Sequence, residues 1–189
     1  MKITDDGIRQ HWFENHVATY TKLSEKVSIL EWKEPGTRCY YVRYVLDGNM
    51  LYISGDLGTA VFDLTWNATP KSFKDMSIGL HYFYEKLSAY GSDKKDFDSE
   101  QAIKDLEEVF VDREEDEYTQ LFEDLKELAN ECCRVDEWAY EVRERFGSEL
   151  EDFDQDYWEW IYDVGAVIPS RIRAYLVGLK MAAEQLEDK

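Results

Sequence analysis

Asp56 lies between Gly55 and Gly58, close in sequence to Asp63, with His81 further along the chain. Two carboxylates near a sheet edge suit Mg²⁺ binding or general-base work. A histidine from the following helix would complete an acid–base set. The alternative reading is conformational. Asp56 then satisfies backbone N–H groups of its own turn, and His81 is partly buried against a backbone carbonyl. His11 and His16 lie five apart, which points them to different sides of a helix: either an acid–base or metal pair, or one surface and one packing histidine. Cys39, Cys132 and Cys133 form neither a disulfide framework nor a zinc spacing. No cofactor loop is present, so no cofactor is expected. Mg²⁺ enters only if the Asp56 region is a nuclease centre.

The second group able to do chemistry is electrostatic. Between Asp93 and Asp163 there are 27 acidic and 8 basic residues, and outside that window the charges balance. The run Asp112, Arg113, Glu114, Glu115, Asp116, Glu117 is its densest part, and Asp154 and Asp156 continue it. Trp138, Tyr140, Tyr157, Trp158 and Trp160 are interleaved with these acids. Carboxylates along helices reproduce the charge of a phosphate backbone, and aromatics anchor such a surface to a protein. The expected partner-binding set is Asp112, Glu114, Glu115, Asp116, Glu117, Trp138, Asp154, Asp156 and Trp158. Such a surface repels phosphate, so direct nucleic-acid binding through it is not expected. A solvated helix face is the plainer alternative.

Lys33, Arg38 and Arg43, with Lys26, form a modest basic cluster around the first hairpin. They face RNA or an acidic partner, or they are the charges with which a sheet protects itself from edge pairing.

These groups need elements to hold them. The stretch Cys39–Trp66 reads as strands joined by tight turns. Val27–Trp32, Arg38–Leu46, Met50–Ser54 and Ala60–Leu64 are the expected strands, with Tyr40, Val42, Tyr44 and Leu46 sharing one face. Asp47-Gly48 predicts a type I′ hairpin. A helix is predicted over Ile3–Val17, capped by Thr4, Asp5 and Asp6. Another is predicted over Ile78–Tyr90, and a further one after a Ser99 cap. The helical pattern continues from Arg113 to Phe146, with Gly147 as a stop and Ser148 as a restart. An acidic, aromatic helix then covers Leu150–Tyr162. A last helix opens at Pro169-Ser170, and its Arg171, Arg173 and Lys180 place it beside the acidic helices.

The fold expected is α+β: an N-terminal helix, a small antiparallel meander of about four strands, then a helical part with strongly acidic helices. The boundary falls at 90/91, with a sheet domain over 1–90 and an acidic helical region over 91–189 packed on it. The chain has 189 residues and a net charge of −19. No apolar run reaches the length of a membrane span, and no secretory leader pattern is present. A cytoplasmic protein without a membrane partner is expected. Oligomeric state is left open.

The segment CYYVRYVLDGNMLYISGDLGTAVFDLTW carries Gly55, Asp56, Leu57, Gly58, Ala60 and Phe62 in a GDLG-x-A-x-F pattern, followed by aromatic spacing over His81–Tyr90. It resembles a domain of small proteins from phages and mobile elements of Gram-positive bacteria, among them anti-CRISPR inhibitors of type II-A Cas9. The resemblance covers Val27–Tyr90. It implies a Cas9 inhibitor in the host bacterial cytoplasm, binding the nuclease or its guide-RNA complex. It also implies two alternatives: an RNA-cleaving module that truncates guide RNA, or an accessory protein with another partner.

Overall fold

The computed structural model describes residues 3–111 and 118–187. The fold is α+β. The chain separates into two compact units, Met1–Lys94 with Ile168–Lys189, and Lys95–Val167.

The first unit is built on a six-stranded antiparallel meander in sequential order: β1 (Val17–Lys22), β2 (Val27–Lys33), β3 (Val42–Asp47), β4 (Met50–Gly55), β5 (Ala60–Asp63) and β6 (Leu87–Tyr90). Alternation decides the faces. Leu30, Trp32, Val42, Tyr44, Leu46, Leu51, Ile53 and Phe62 are buried on one side, whereas Arg43 and Tyr52 are exposed on the other. The helical segments of this unit are α1 (Asp5–Gly7), running into a π turn over Ile8–Trp12, then α2 (Pro70–Asp75), α3 (Leu80–Glu85) and α7 (Ser170–Glu187).

Helix α7 belongs to the sheet and not to the acidic helices. Ile172, Tyr175, Leu176 and Leu179 are buried in the core of the sheet, together with Ala174, Val177 and Ala182. A helix apolar on nearly every side lies inside a core. Two of its cations are used within the unit. Arg173 pairs with Asp5 at 2.8 Å, and the Lys180 ammonium donates to the Ile78 carbonyl at 2.8 Å. The expected boundary at 90/91 therefore becomes two, at 94/95 and 167/168.

Several local expectations are corrected. Thr4 caps the N-terminal turn by accepting from the Gly7 N–H, but the helix ends at Trp12. Val17–Lys22 becomes β1, because pairing with β2 satisfies a stretch rich in β-branched and aromatic residues. The helix expected over Ile78–Tyr90 stops at Glu85, and β6 pairs with the free edge of β5. Strand β3 starts at Val42, not Arg38. In the β3–β4 hairpin the central residues are Gly48 and Asn49. Positive φ occurs at Gly48 alone, so the turn is not type I′.

The second unit comprises α4 (Ser99–Phe110), α5 (Thr119–Glu131), α6 (Val135–Phe153), a 3₁₀ turn over Tyr157–Glu159, and a two-stranded ribbon of β7 (Asp96–Phe97) and β8 (Ala166–Val167). Asp98, not Ser99, caps α4 by accepting from the Gln101 N–H at 2.8 Å. Helix α6 runs through Gly147. The glycine costs about 1 kcal/mol, but Leu150 and Phe153 continue the buried stripe of Val142. Burying each such side chain contributes about 1.5–3 kcal/mol. The helix expected over Leu150–Tyr162 is therefore replaced by the end of α6 and a series of turns.

Candidate functional site

The catalytic candidates are held in the first unit. Gly55, with φ of 141°, brings the chain so close to β3 that a Cβ there would lie 2.2 Å from the Tyr41 carbonyl oxygen. The following Asp56 carboxylate accepts from the Tyr40 N–H at 2.9 Å, and the Asp56 N–H donates to the Tyr41 carbonyl at 2.8 Å. Tyr40 has φ of 53°, the left-handed region that a side chain rarely adopts. It is held there by Asp56 and by stacking on Trp12, with ring centroids 4.8 Å apart. Asp56 thus shapes a turn. Asp63 accepts from the Asn49 amide at 2.7 Å.

His81 is exposed on α3, not half-buried against a carbonyl. Among the described residues no group of three or more His, Cys, Asp and Glu side chains is arranged to hold a metal ion. Of the other histidines, His11 is exposed and His16 is buried. All three cysteines are free thiols. Burial, with Glu137 and Glu141 nearby, pushes the Cys132 thiol up to about 11, so it is protonated at neutral pH and a poor nucleophile.

Lys33, Arg38 and Arg43 are all exposed. Arg43 stands on the solvent face of β3 opposite Glu31 of β2 and Ser54 of β4. Glu31 in turn accepts from the Tyr41 hydroxyl at 2.7 Å. The basic residues are thus mixed with a carboxylate.

The second unit concentrates charge. It holds 26 acidic and 7 basic residues, a net of −19, which equals the net charge of the whole chain. Its helices have buried apolar stripes, Ala102 and Leu106 on α4, Leu121, Leu125 and Leu128 on α5, and Val142 and Leu150 on α6. The acids fall on the remaining faces, and Glu107, Glu108, Glu127, Glu144 and Glu151 are exposed. Most of the few bases are used within the unit. Lys126 pairs with Glu123, Arg134 with Asp136, Arg143 with Glu144, and Arg145 with both Glu131 and Glu141. Among the described residues of this unit, the exposed carboxylates outnumber these cations.

The expected partner-binding residues divide. Asp112, Glu114, Glu115, Asp116 and Glu117 lie outside the described residues. Trp138 is a correction: it is fully buried, its indole N–H donates to the Ile161 carbonyl at 3.1 Å, and it stacks on Phe97. It holds the unit together and reaches no partner. Asp154 is half-buried and local. It accepts from the Trp160 indole at 3.1 Å and the Asp156 N–H at 3.0 Å. Asp156 and Trp158 are exposed, Trp158 to 55%. Tyr157 is buried and Trp160 half-buried, whereas Tyr140 and Tyr162 are exposed. Tyr162 was not among the expected residues. It lay at the end of the acidic, aromatic helix expected over Leu150–Tyr162, and the turns after α6 show it outward.

Comparison with protein-family models, curated proteins and solved structures finds no match to this chain. Among the described residues no helix is long and apolar enough to cross a membrane.

Proposed function

We propose that this protein is an interaction protein of the anti-CRISPR kind, an inhibitor of a type II-A Cas9 nuclease in a bacterial cytoplasm. Its acidic helical unit would occupy the positively charged channel in which such nucleases hold nucleic acid. The observation that carries this reading is the confinement of the whole net charge to one folded unit. A charge surplus of that size attracts a basic groove and accelerates encounter. The exposed Trp158, Tyr140 and Tyr162 supply contact area beside it. The choice of a Cas9 among basic proteins rests on the resemblance of Cys39–Trp66.

The test is association with a type II-A Cas9, with and without guide RNA, followed by calorimetry across a salt series. Binding is expected to weaken steeply as salt rises to about 0.5 M. It is expected to weaken again in a variant carrying Glu108→Lys, Glu127→Lys and Glu159→Lys. Binding indifferent to both would end this reading. A denaturing gel of the guide RNA is expected to show it full length. A shortened guide would instead favour the RNA-cleaving alternative, and recovery of a different host protein in a pull-down would favour an accessory role.

A further inference from the structure

A recess opens between the start of α5 and the last turns of α6. Its volume is about 280 Å³, at the lower end of the roughly 300–1,000 Å³ of small-molecule sites. That admits one long side chain more readily than a nucleotide-sized cofactor. Leu121, Tyr118 and Phe146 line it with apolar and aromatic surface, and Leu121 is buried. Asp124, Glu149 and Asp152 line it with carboxylates. The three acids are not equivalent. Asp124 accepts from the Gln120 amide at 2.8 Å. Glu149 and Asp152 are exposed and have no basic partner among the described residues.

The position of those two acids is unfavourable within the isolated unit. They stand near the C-terminus of α6, whose last turn carries no basic residue. A helix C-terminus is the negative pole of the helix, where a carboxylate is destabilising and a cation is favoured. A cation in the recess would meet two free carboxylates and the helix pole together. The aromatic lining narrows its kind. An ammonium is compact and strongly hydrated, whereas a guanidinium is planar, weakly hydrated and stacks on rings while it donates to carboxylates.

We propose that this recess receives an arginine side chain from a basic partner protein, its guanidinium held by Glu149 and Asp152 and its stem laid against Phe146 and Tyr118. The inference rests on the reading of the acidic unit as a docking surface for a basic protein, and names the point at which docking becomes specific.

The experiment titrates the full chain with an oligoarginine peptide and with an oligolysine peptide of equal length. Oligoarginine is expected to bind more tightly and to shift the ring resonances of Phe146 and Tyr118. The pair Glu149→Gln with Asp152→Asn is expected to weaken oligoarginine about tenfold. The pair Glu100→Gln with Glu107→Gln, on exposed positions of α4, is expected to weaken it less than about twofold. All four side chains are exposed, so both variants should keep the native circular dichroism. Equal weakening by the two pairs, equal affinity for both peptides, or unmoved ring resonances would overturn the recess. The nuclease-binding assay on the unaltered chain decides the broader reading separately.

Discussion

His16 is the buried polar side chain with the clearest consequence. Its Nε2 donates to the Tyr40 carbonyl at 3.3 Å, while Nδ1 is buried without a partner. Phe13 and Trp32 pack around the ring. Burial lowers its pKa below 6.5, although the Tyr40 and Cys39 carbonyls and the Glu34 carboxylate pull the other way. A histidine with a lowered folded-state pKa binds fewer protons folded than unfolded. Its contribution to stability is therefore complete above the unfolded value of about 6.5 and is lost as pH falls through the lower folded value. Urea unfolding of the native chain and of His16→Gln, from about pH 7.5 to about pH 5, should show the native chain losing stability faster on acidification. Parallel profiles would refute this. Asp56 teaches a related lesson. A carboxylate between two glycines looks available for catalysis, and it is occupied in holding Tyr40 at positive φ.

At the scale of elements, two helical glycines make opposite predictions. Gly178 of α7 lies against the sheet, where an added Cβ would meet the Tyr44 hydroxyl at 2.5 Å and the Phe13 and Trp32 rings at 3.2 Å. Tyr44 is fully buried and donates to the Tyr175 carbonyl, so it has little room to yield. Gly178→Ala is expected to cost about 1–3 kcal/mol, despite the better helix propensity of alanine. At Gly147 of α6 the nearest atom to an added Cβ is the Tyr157 hydroxyl, at an ordinary 3.6 Å. Gly147→Ala should stabilise by about 0.4–1 kcal/mol. Denaturant unfolding of both variants checks the pair, and a stabilised Gly178→Ala would mean that α7 does not lie so close to the sheet.

At the scale of the molecule, the confinement of a net −19 to Lys95–Val167 has consequences for stability as well as binding. Like charges on one small unit repel each other, and salt screens that repulsion. Raising salt from about 0.01 M to about 0.1 M shortens the screening length from about 30 Å to about 10 Å. The helical signal in a thermal melt of the whole chain is expected to move to higher temperature over that range. A fall would mean that the internal pairs of Arg145, Arg143 and Lys126 outweigh the repulsion. Binding to a basic partner should respond in the opposite sense, so one salt series separates the two effects.

The alternation of Val42, Tyr44 and Leu46, the turn glycines and the stripe of Leu121, Leu125 and Leu128 are local patterns. They made the central strands, the hairpin and the α+β class readable from sequence, and the charge surplus was a matter of counting. The rest depended on partners distant in the chain. β1 and β6 formed because β2 and β5 offered unpaired edges. Helix α7 joined the sheet because its apolar surface encircles it, although its basic residues suggested the acidic helices. Trp138 and Trp158 have the same local surroundings of acid and aromatic, yet one is a core residue and the other is exposed. Burial is decided by what packs across the fold, which spacing along the chain does not encode. The recess beside Phe146 needed two helices to be set side by side before its carboxylates and rings shared one space.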